Sequence, residues 1–193
     1  MGLISTINIP KCTIAIWEIT ESVDELLKLS RTINLPKFNT EKRTKEWIAS
    51  RLLLRKINPS YSISYNIFGA PELNNNYCIS ISHSKGLAAI IISKQNVGMD
   101  IEKISQKTIR LASKFVSKNN LDNLTAEKAT LIWCCKEAIF KWYQKGDVNF
   151  ITDIQIDPFN PINKGEIKAR FKEDRLILNY HKINNHYLVY VCK

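Results

Sequence analysis

Three short stretches concentrate side chains able to do chemistry. The first is Val97-Gly98-Met99-Asp100-Ile101-Glu102. In an extended strand residues two apart share a face, so Asp100 and Glu102 project together while Met99 and Ile101 point the opposite way. Two ionised carboxylates side by side repel, and one takes up a proton unless a cation sits between them. Hard oxygen ligands with no His or Cys ligand pattern nearby select Mg2+ or Mn2+. The other reading open to this pair is a strand end emerging into solvent, both carboxylates wet and Lys103 adjacent. The second stretch, Trp133-Cys134-Cys135-Lys136-Glu137-Ala138-Ile139-Phe140-Lys141, has helical spacing. Trp133, Glu137 and Lys141 form one stripe, and Ile132, Cys135, Ile139 and Trp142 form an apolar side. Glu137 and Lys141 are either a surface ion pair worth about 0.2–0.5 kcal/mol, or a third metal oxygen beside a phosphate counter-charge. The third stretch, Ser80-Ile81-Ser82-His83-Ser84-Lys85, ends a strand at a Gly86 turn. Strand ends are where ligands are met, and the alternative is a loop histidine with no task. An acyl-transfer Ser–His dyad does not fit, because adjacent residues of an extended chain do not face each other and no G-x-S-x-G elbow is present.

With only six glycines, no G-x-G-x-x-G and no Walker loop, the chain has no glycine-rich cradle for phosphate. Any phosphate must be held by side chains and metal. The five cysteines are an odd number without a C-x-x-C, and Cys134 and Cys135 are adjacent in a helical pattern. Reduced, mostly buried thiols are the expectation, not a zinc site or a disulfide framework.

The elements that must position these groups follow from periodicity. Cys12 to Ile19 alternates and is rich in β-branched residues, which predicts a strand. Ser22 to Ser30 reads as a short helix capped by Ser22 ahead of Asp24 and Glu25. Thr40 to Ile57 reads as a longer amphipathic helix, apolar at Trp47, Ile48, Leu52 and Ile57 and basic at Lys42, Arg43, Lys45, Arg51 and Arg55. Strands are expected over Tyr61 to Phe68, Tyr77 to Ser82, Leu87 to Ser93 and Val97 to Glu102, then a helix over Thr108 to Ser117. The longest helix starts at a Thr125 cap and closes at Gly146. Four further strands are expected: Phe150 to Ile156, Glu166 to Phe171, Leu176 to Tyr180 and Tyr187 to Val191. Strands meeting as hairpins, without regular βαβ units, mark the α+β class.

At 193 residues, 45% hydrophobic and 24% charged, the composition is that of an ordinary globular protein of one large or two small units. The longest apolar run, Leu87 to Ile92, is six residues, against the ~20 a spanning helix needs. Met1 to Cys12 lacks the basic-then-apolar order of a signal peptide, so the expected compartment is the cytoplasm and no membrane partner is expected. The formal net charge of +10 favours an acidic partner: nucleic acid, a phosphorylated ligand or an acidic protein.

Taken together and in this order, Ile81-Ser82-His83-Ser84, Gly98-x-Asp100-x-Glu102 and Trp133-x-x-Lys136-Glu137-x-x-x-Lys141 resemble the signature of the 4′-phosphopantetheinyl transferase superfamily. Phe68-Gly69-Ala70-Pro71-Glu72-Leu73 is similar to that family's G-K-P segment, and Ala49 to Arg55 to a stretch seen in many members. The resemblance covers roughly residues 42–145, and the chain length is similar to that of the longer surfactin-synthetase-activating type. It implies two similar lobes, a pseudo-dimer in which each antiparallel sheet is packed with a long helix and the active cleft lies between lobes, divided as residues 1–95 and 96–193. It also implies a monomer that transfers phosphopantetheine from coenzyme A to a serine of an acidic acyl or peptidyl carrier protein. Asp100, Glu102 and Glu137 are the implied Mg2+ ligands, Mn2+ being an alternative ion. Glu137 and Lys141 are the implied catalytic residues, and Ser82, His83 and Lys136 the implied coenzyme A contacts. For the 3′-phosphate Lys45 stands first, ahead of Lys37, Arg43 and Arg51. Two positions depart from the pattern: Ala70 stands where the G-K-P lysine is usual, and Asn119 and Asn120 where a glutamate commonly follows Phe115-Val116-Ser117. The alternative class is a basic module without enzymatic activity that binds nucleic acid or a carrier protein. No helix-turn-helix, zinc or RNA-recognition signature accompanies it, so nucleic acid is not the expected partner.

Overall fold

Alternating apolar residues build two antiparallel sheets. A computed structural model of the chain describes residues 3–30 and 34–193. The first sheet contains β1 (Leu3–Ile9), β2 (Cys12–Glu18), β3 (Ile63–Tyr65), β4 (Pro71–Leu73), β5 (Cys78–Ser84) and β6 (Leu87–Ser93), in the order β1-β2-β6-β5-β4-β3. The second contains β7 (Val97–Lys103), β8 (Ile154–Ile156), β9 (Lys164–Phe171), β10 (Asp174–Ile183) and β11 (His186–Cys192), in the order β7-β11-β10-β9-β8. The helices are α1 (Val23–Ser30), α2 (Glu41–Ile57), α3 (Gln106–Leu111) and α4 (Ala126–Tyr143).

Period-two alternation decides what each strand faces. On β6, Leu87, Ala89 and Ile91 enter a core shared by both sheets, where they meet Ile14 and Ile16 of β2 and Val97, Met99, Ile101, Leu188 and Tyr190 of the second sheet. Their neighbours Ala88, Ile90 and Ile92 face the other way, into a core with Leu26 of α1 and Ile48, Leu52 and Leu53 of α2. Across the second sheet, Leu131, Cys135, Ala138 and Ile139 of α4 close on Ile167, Leu178 and Val189. Each Ile or Leu fully buried in these layers contributes about 1.5–3 kcal/mol. The molecule is α+β, one long helix covering each sheet.

Local signals set the helix ends. The Thr40 and Thr125 hydroxyls accept the third-residue N–H groups of α2 and α4, from Arg43 and Lys128, and α4 stops where Gln144 turns left-handed at φ 59°. Ser22 and Glu25 exchange hydrogen bonds in a reciprocal cap on α1.

Several expectations change: the longest helix stops at Gln144 and not at Gly146, and the strand expected over Tyr61 to Phe68 is reduced to Ile63–Tyr65. Leu3–Ile9 is an edge strand that the periodic reading passed over. The helix expected over Thr108 to Ser117 is a short α3 followed by a 3₁₀ turn at Ala112–Lys114. In the strand expected over Phe150 to Ile156 only Ile154–Ile156 pairs, because the Asp153 and Asn149 side chains hold the preceding residues in a turn. No helix among the described residues is long and apolar enough to cross a membrane.

Candidate active site

Gly98 lets α4 lie directly on β7. A methyl group there would stand 1.9 Å from the Ala138 carbonyl oxygen and 2.5 Å from the Trp142 nitrogen, both backbone atoms. The strand and helix therefore meet with no side chain between them. On β7, Asp100 and Glu102 share the face of Gly98 and so look toward α4, whose Glu137 and Lys141 lie one turn apart on the same stripe.

The result is a half-buried polar group. Lys141 Nζ donates to Asp100 Oδ1 at 2.7 Å and to Ser82 Oγ at 3.1 Å. Ser82 Oγ also donates to Asp100 Oδ1 at 2.7 Å, and Ser84 Oγ to Glu102 Oε2 at 2.7 Å. Burial, and then the charge of Asp100, push the Glu137 carboxyl up to about 7, although Lys141 opposes them and Glu102 adds to the rise. Burial raises Glu102 as well, against the hydrogen bond from Ser84, which favours its ionised form. Burial works against the Lys141 charge, yet Asp100 and Glu137 hold its ammonium above the ordinary lysine range.

Beside this group opens a cavity of about 280 Å³ between α2, the β3–β4 turn, β5 and the end of α4. Arg43, Trp47 and Arg51, spaced four apart, turn one face of α2 into it, and His83 and Lys141 complete the basic lining. The Arg51 guanidinium lies 4.1 Å over the Trp47 ring and donates to the Tyr65 hydroxyl at 2.6 Å. His83 is clamped from both sides: Arg43 contacts Nε2, and Nδ1 lies 3.1 Å from the buried Glu46 carboxylate. A guanidinium can only donate, so Nε2 is the acceptor and the Nδ1 proton goes to Glu46. Burial lowers the His83 pKa; Glu46 opposes this, and Arg43 and Lys141 reinforce it, so the neutral ring is favoured.

The residues singled out from the sequence thus divide. Asp100, Glu102, Glu137, Lys141 and Ser82 come together, with His83 on the neighbouring cavity wall. Lys136 is not among them: its buried ammonium donates to the carbonyls of Phe150 and Ile154 and lines a different cavity, on another face of α4, and burial brings its pKa down to about 8. Lys45 pairs with Glu41 at 2.8 Å and lines a separate, more open depression that meets the cavity only at Glu46. Two residues along a helix is a 200° turn, so Lys45 cannot share the face of Arg43. Arg43 and Arg51, ranked behind Lys45, are the arginines that reach the cavity, and Glu46 was not picked out at all. The i, i+4, i+8 stripe Arg43–Trp47–Arg51 was the readable signal. Ala70, the departure from the G-K-P pattern, lines the same cavity.

A family model described as the 4′-phosphopantetheinyl transferase superfamily matches residues 96–192, half of the chain. The chain belongs to the 4′-phosphopantetheinyl transferase superfamily. It is also similar to the 4′-phosphopantetheinyl transferase gsp of Aneurinibacillus migulanus, 29% identical over 122 residues, covering 58% of this chain and 52% of that protein. The match to this curated relative thus spans about half of the relative's length. The superfamily match takes in Asp100, Glu102, Glu137 and Lys141, whereas Arg43, Arg51 and His83 lie before it.

The superfamily resemblance implies a divalent metal. Among the described residues no three His, Cys, Asp or Glu side chains are drawn together as a ready-made metal cage; Lys141, Ser82 and Ser84 hold the carboxylates instead. The donor chemistry fits Mg2+ nonetheless. All three candidate donors are carboxylates; burial raises Glu137 and Glu102, and the neighbouring carboxylate charge adds to the rise, a crowding that a cation relieves. Asp100 Oδ2 is buried and accepts no hydrogen bond among the described residues, which leaves a lone-pair position for a metal.

Proposed function

We propose that this superfamily member transfers the 4′-phosphopantetheine group of coenzyme A to a serine hydroxyl of an apo acyl or peptidyl carrier protein. The observation that carries the reading is the juxtaposition of an acidic group (Asp100, Glu102 and Glu137) and Lys141 with a cavity lined by Arg43, Arg51 and His83. Such a pairing suits a pyrophosphate at the acidic end and a nucleotide bearing further phosphate at the basic end.

In the reaction the serine oxygen attacks the phosphorus that bears pantetheine, and the pyrophosphate P–O bond breaks to release adenosine 3′,5′-bisphosphate. Asp100, Glu102 and Glu137 would hold Mg2+ or Mn2+, which when bound neutralises the diphosphate and stabilises charge on the leaving phosphate. Glu137 takes the serine proton, directly or through water. A carboxyl pushed up to about 7 is well matched to that exchange near neutral pH, while metal ligation pulls it toward the weaker base. Lys141 stabilises the pyrophosphate and returns a proton to the leaving group. Arg43 and Arg51 contact phosphate, with His83 beside them on the same wall and Ser82 next to it on β5; a direct contact from Ser82 or His83 requires it to exchange its Asp100, Glu46 or Arg43 partner for phosphate. The formal charge of +10 supports an acidic carrier protein as partner. Five free thiols agree with work in the reducing cytoplasm, with the chain acting as a monomer of two lobes, 1–95 and 96–193.

Intact-mass analysis of several apo-carrier proteins incubated with coenzyme A, Mg2+ and this protein tests the reading. At least one carrier gains the mass of phosphopantetheine, EDTA stops the gain and added Mg2+ restores it. Asp100→Ala abolishes the gain while its circular dichroism stays that of the parent. Transfer that ignores the chelator, or near-parental turnover by Asp100→Ala, overturns the metal assignment.

A further inference from the structure

β7 is an edge strand of its sheet, and half of its backbone N–H groups point away from its partner β11. An edge left this way is a row of unpaired donors. Among the described residues no strand pairs with that edge. The donors are met by hydroxyls on β5 of the other sheet: Met99 N–H by Ser80 Oγ at 3.0 Å, Ile101 N–H by Ser82 Oγ at 3.2 Å, and Lys103 N–H by Ser84 Oγ at 3.2 Å. The three serines are spaced two apart and so are the three amides, so one side-chain ladder stitches the two sheets together.

A hydroxyl that accepts an N–H still has its own proton to give. Ser82 gives it to Asp100 and Ser84 gives it to Glu102, each at 2.7 Å. We infer that Ser82 and Ser84 are positioning residues for the metal carboxylates, each fixing one carboxylate oxygen so that the other is presented to the cation. The pattern at Asp100 shows the consequence. Its Oδ1 is saturated by Ser82 and Lys141, and its Oδ2 is left with no partner among the described residues. Because the backbone amide pins Oγ and the carboxylate takes the proton, the hydroxyl has no freedom left, and neither has the carboxylate it holds. All three serines are buried, which limits the competition from water for these bonds. The first sheet, which supplies no metal ligand, thereby sets the aim of two ligands in the second. Docking of the lobes and shaping of the metal site become one event.

This inference rests on the metal reading above, and Ser80 is its internal control. Ser80 makes the same backbone stitch, but among the described residues no carboxylate takes its proton. Ser80→Ala, Ser84→Ala and Ser84→Thr are compared with the parent by thermal unfolding of the metal-free protein and by Mn2+ titration followed by electron paramagnetic resonance. Both alanine variants lose several degrees of Tm, since each strands a buried amide. Only Ser84→Ala loses Mn2+ affinity, by about 10- to 100-fold, the usual effect of removing a partner that orients a ligand. Ser84→Thr, which keeps the hydroxyl, recovers most of that affinity. Parental Mn2+ affinity in Ser84→Ala overturns the positioning role, as does an equal loss in Ser80→Ala, which would trace the effect to the seam alone. A parent protein that binds no Mn2+ overturns the metal reading and takes the positioning role down with it.

Discussion

Lys141 is where the two readings of the α4 stripe separate most sharply. A surface Glu–Lys pair contributes about 0.2–0.5 kcal/mol, and its loss would leave turnover nearly unchanged. Lys141 instead gives two hydrogen bonds, to Asp100 and to Ser82, and is only 25% exposed. Charge-assisted bonds of this kind contribute about 1.5–3 kcal/mol, so Lys141→Ala lowers kcat by about 10- to 100-fold in a transfer assay. Turnover within twofold of the parent would return Lys141 to the status of a surface partner. His83 carries a separate, pH-dependent prediction. Its pKa is lowered from the ordinary 6.5, chiefly by burial, so the folded protein resists its protonation. A group with a depressed folded pKa contributes stability above its unfolded value, and that contribution is lost as pH falls through the folded one. Protonation would also turn Nε2 into a donor facing the Arg43 guanidinium. The Tm of the ligand-free protein therefore falls as pH drops below 6.5, and His83→Gln flattens that fall. An unchanged slope in the variant would show that other groups govern acid sensitivity.

Gly98 makes the contact between α4 and β7 testable. The clashes of an added methyl are with the helix backbone, so no side chain can rotate out of the way. Gly98→Ala forces α4 off the strand, lowering the denaturant midpoint by the equivalent of about 3 kcal/mol and carrying Glu137 and Lys141 away from Asp100. Gly165 is the comparison: its nearest neighbour is the Tyr180 ring, with the hydroxyl at 3.1 Å, a side chain that need give by only a few tenths of an ångström and no backbone, so Gly165→Ala costs less, about 1 kcal/mol. Equal losses in the two variants would remove the special status of Gly98. In the sequence this glycine was legible only as a motif letter, because the helix it admits arrives from 40 residues downstream. Long periodic elements such as α2, α4 and β6 were readable from their own spacing, and so was the shared face of Asp100 and Glu102. The turns were readable only from side-chain chemistry: Asn66 takes the N–H groups of Phe68 and Ala70 and cuts short the strand expected there. The Glu46–His83 pair and the serine ladder were not readable, since each joins segments whose approach no local period encodes. Lys136 is the opposite case, a motif lysine whose surroundings depend on the side of the helix that the neighbouring loop occupies.

The distribution of function between the sheets carries the last consequence. The second sheet and α4 supply the acidic group, while the first sheet and α2 supply the arginines, His83 and the serines that lock the carboxylates. A positive wall on one side and a buried negative group on the other suit a substrate that brings its own phosphates. An acidic protein partner would be drawn first by the overall charge of +10, acting before any contact forms. Encounter of that kind is screened by salt: the Debye length shrinks from about 10 Å at 0.1 M to about 3 Å at 1 M. The buried contacts of Lys141 and Asp100 are screened far less. Raising ionic strength over that range therefore lowers kcat/KM for an acidic carrier protein steeply while kcat at saturating carrier changes little. Measuring transfer at low and at saturating carrier concentration separates the two, and replacing exposed lysines remote from the cavity, such as Lys114, by neutral residues weakens the salt dependence. A kcat/KM indifferent to salt would mean that the excess positive charge does not recruit the partner, leaving recognition to contacts at the cavity itself.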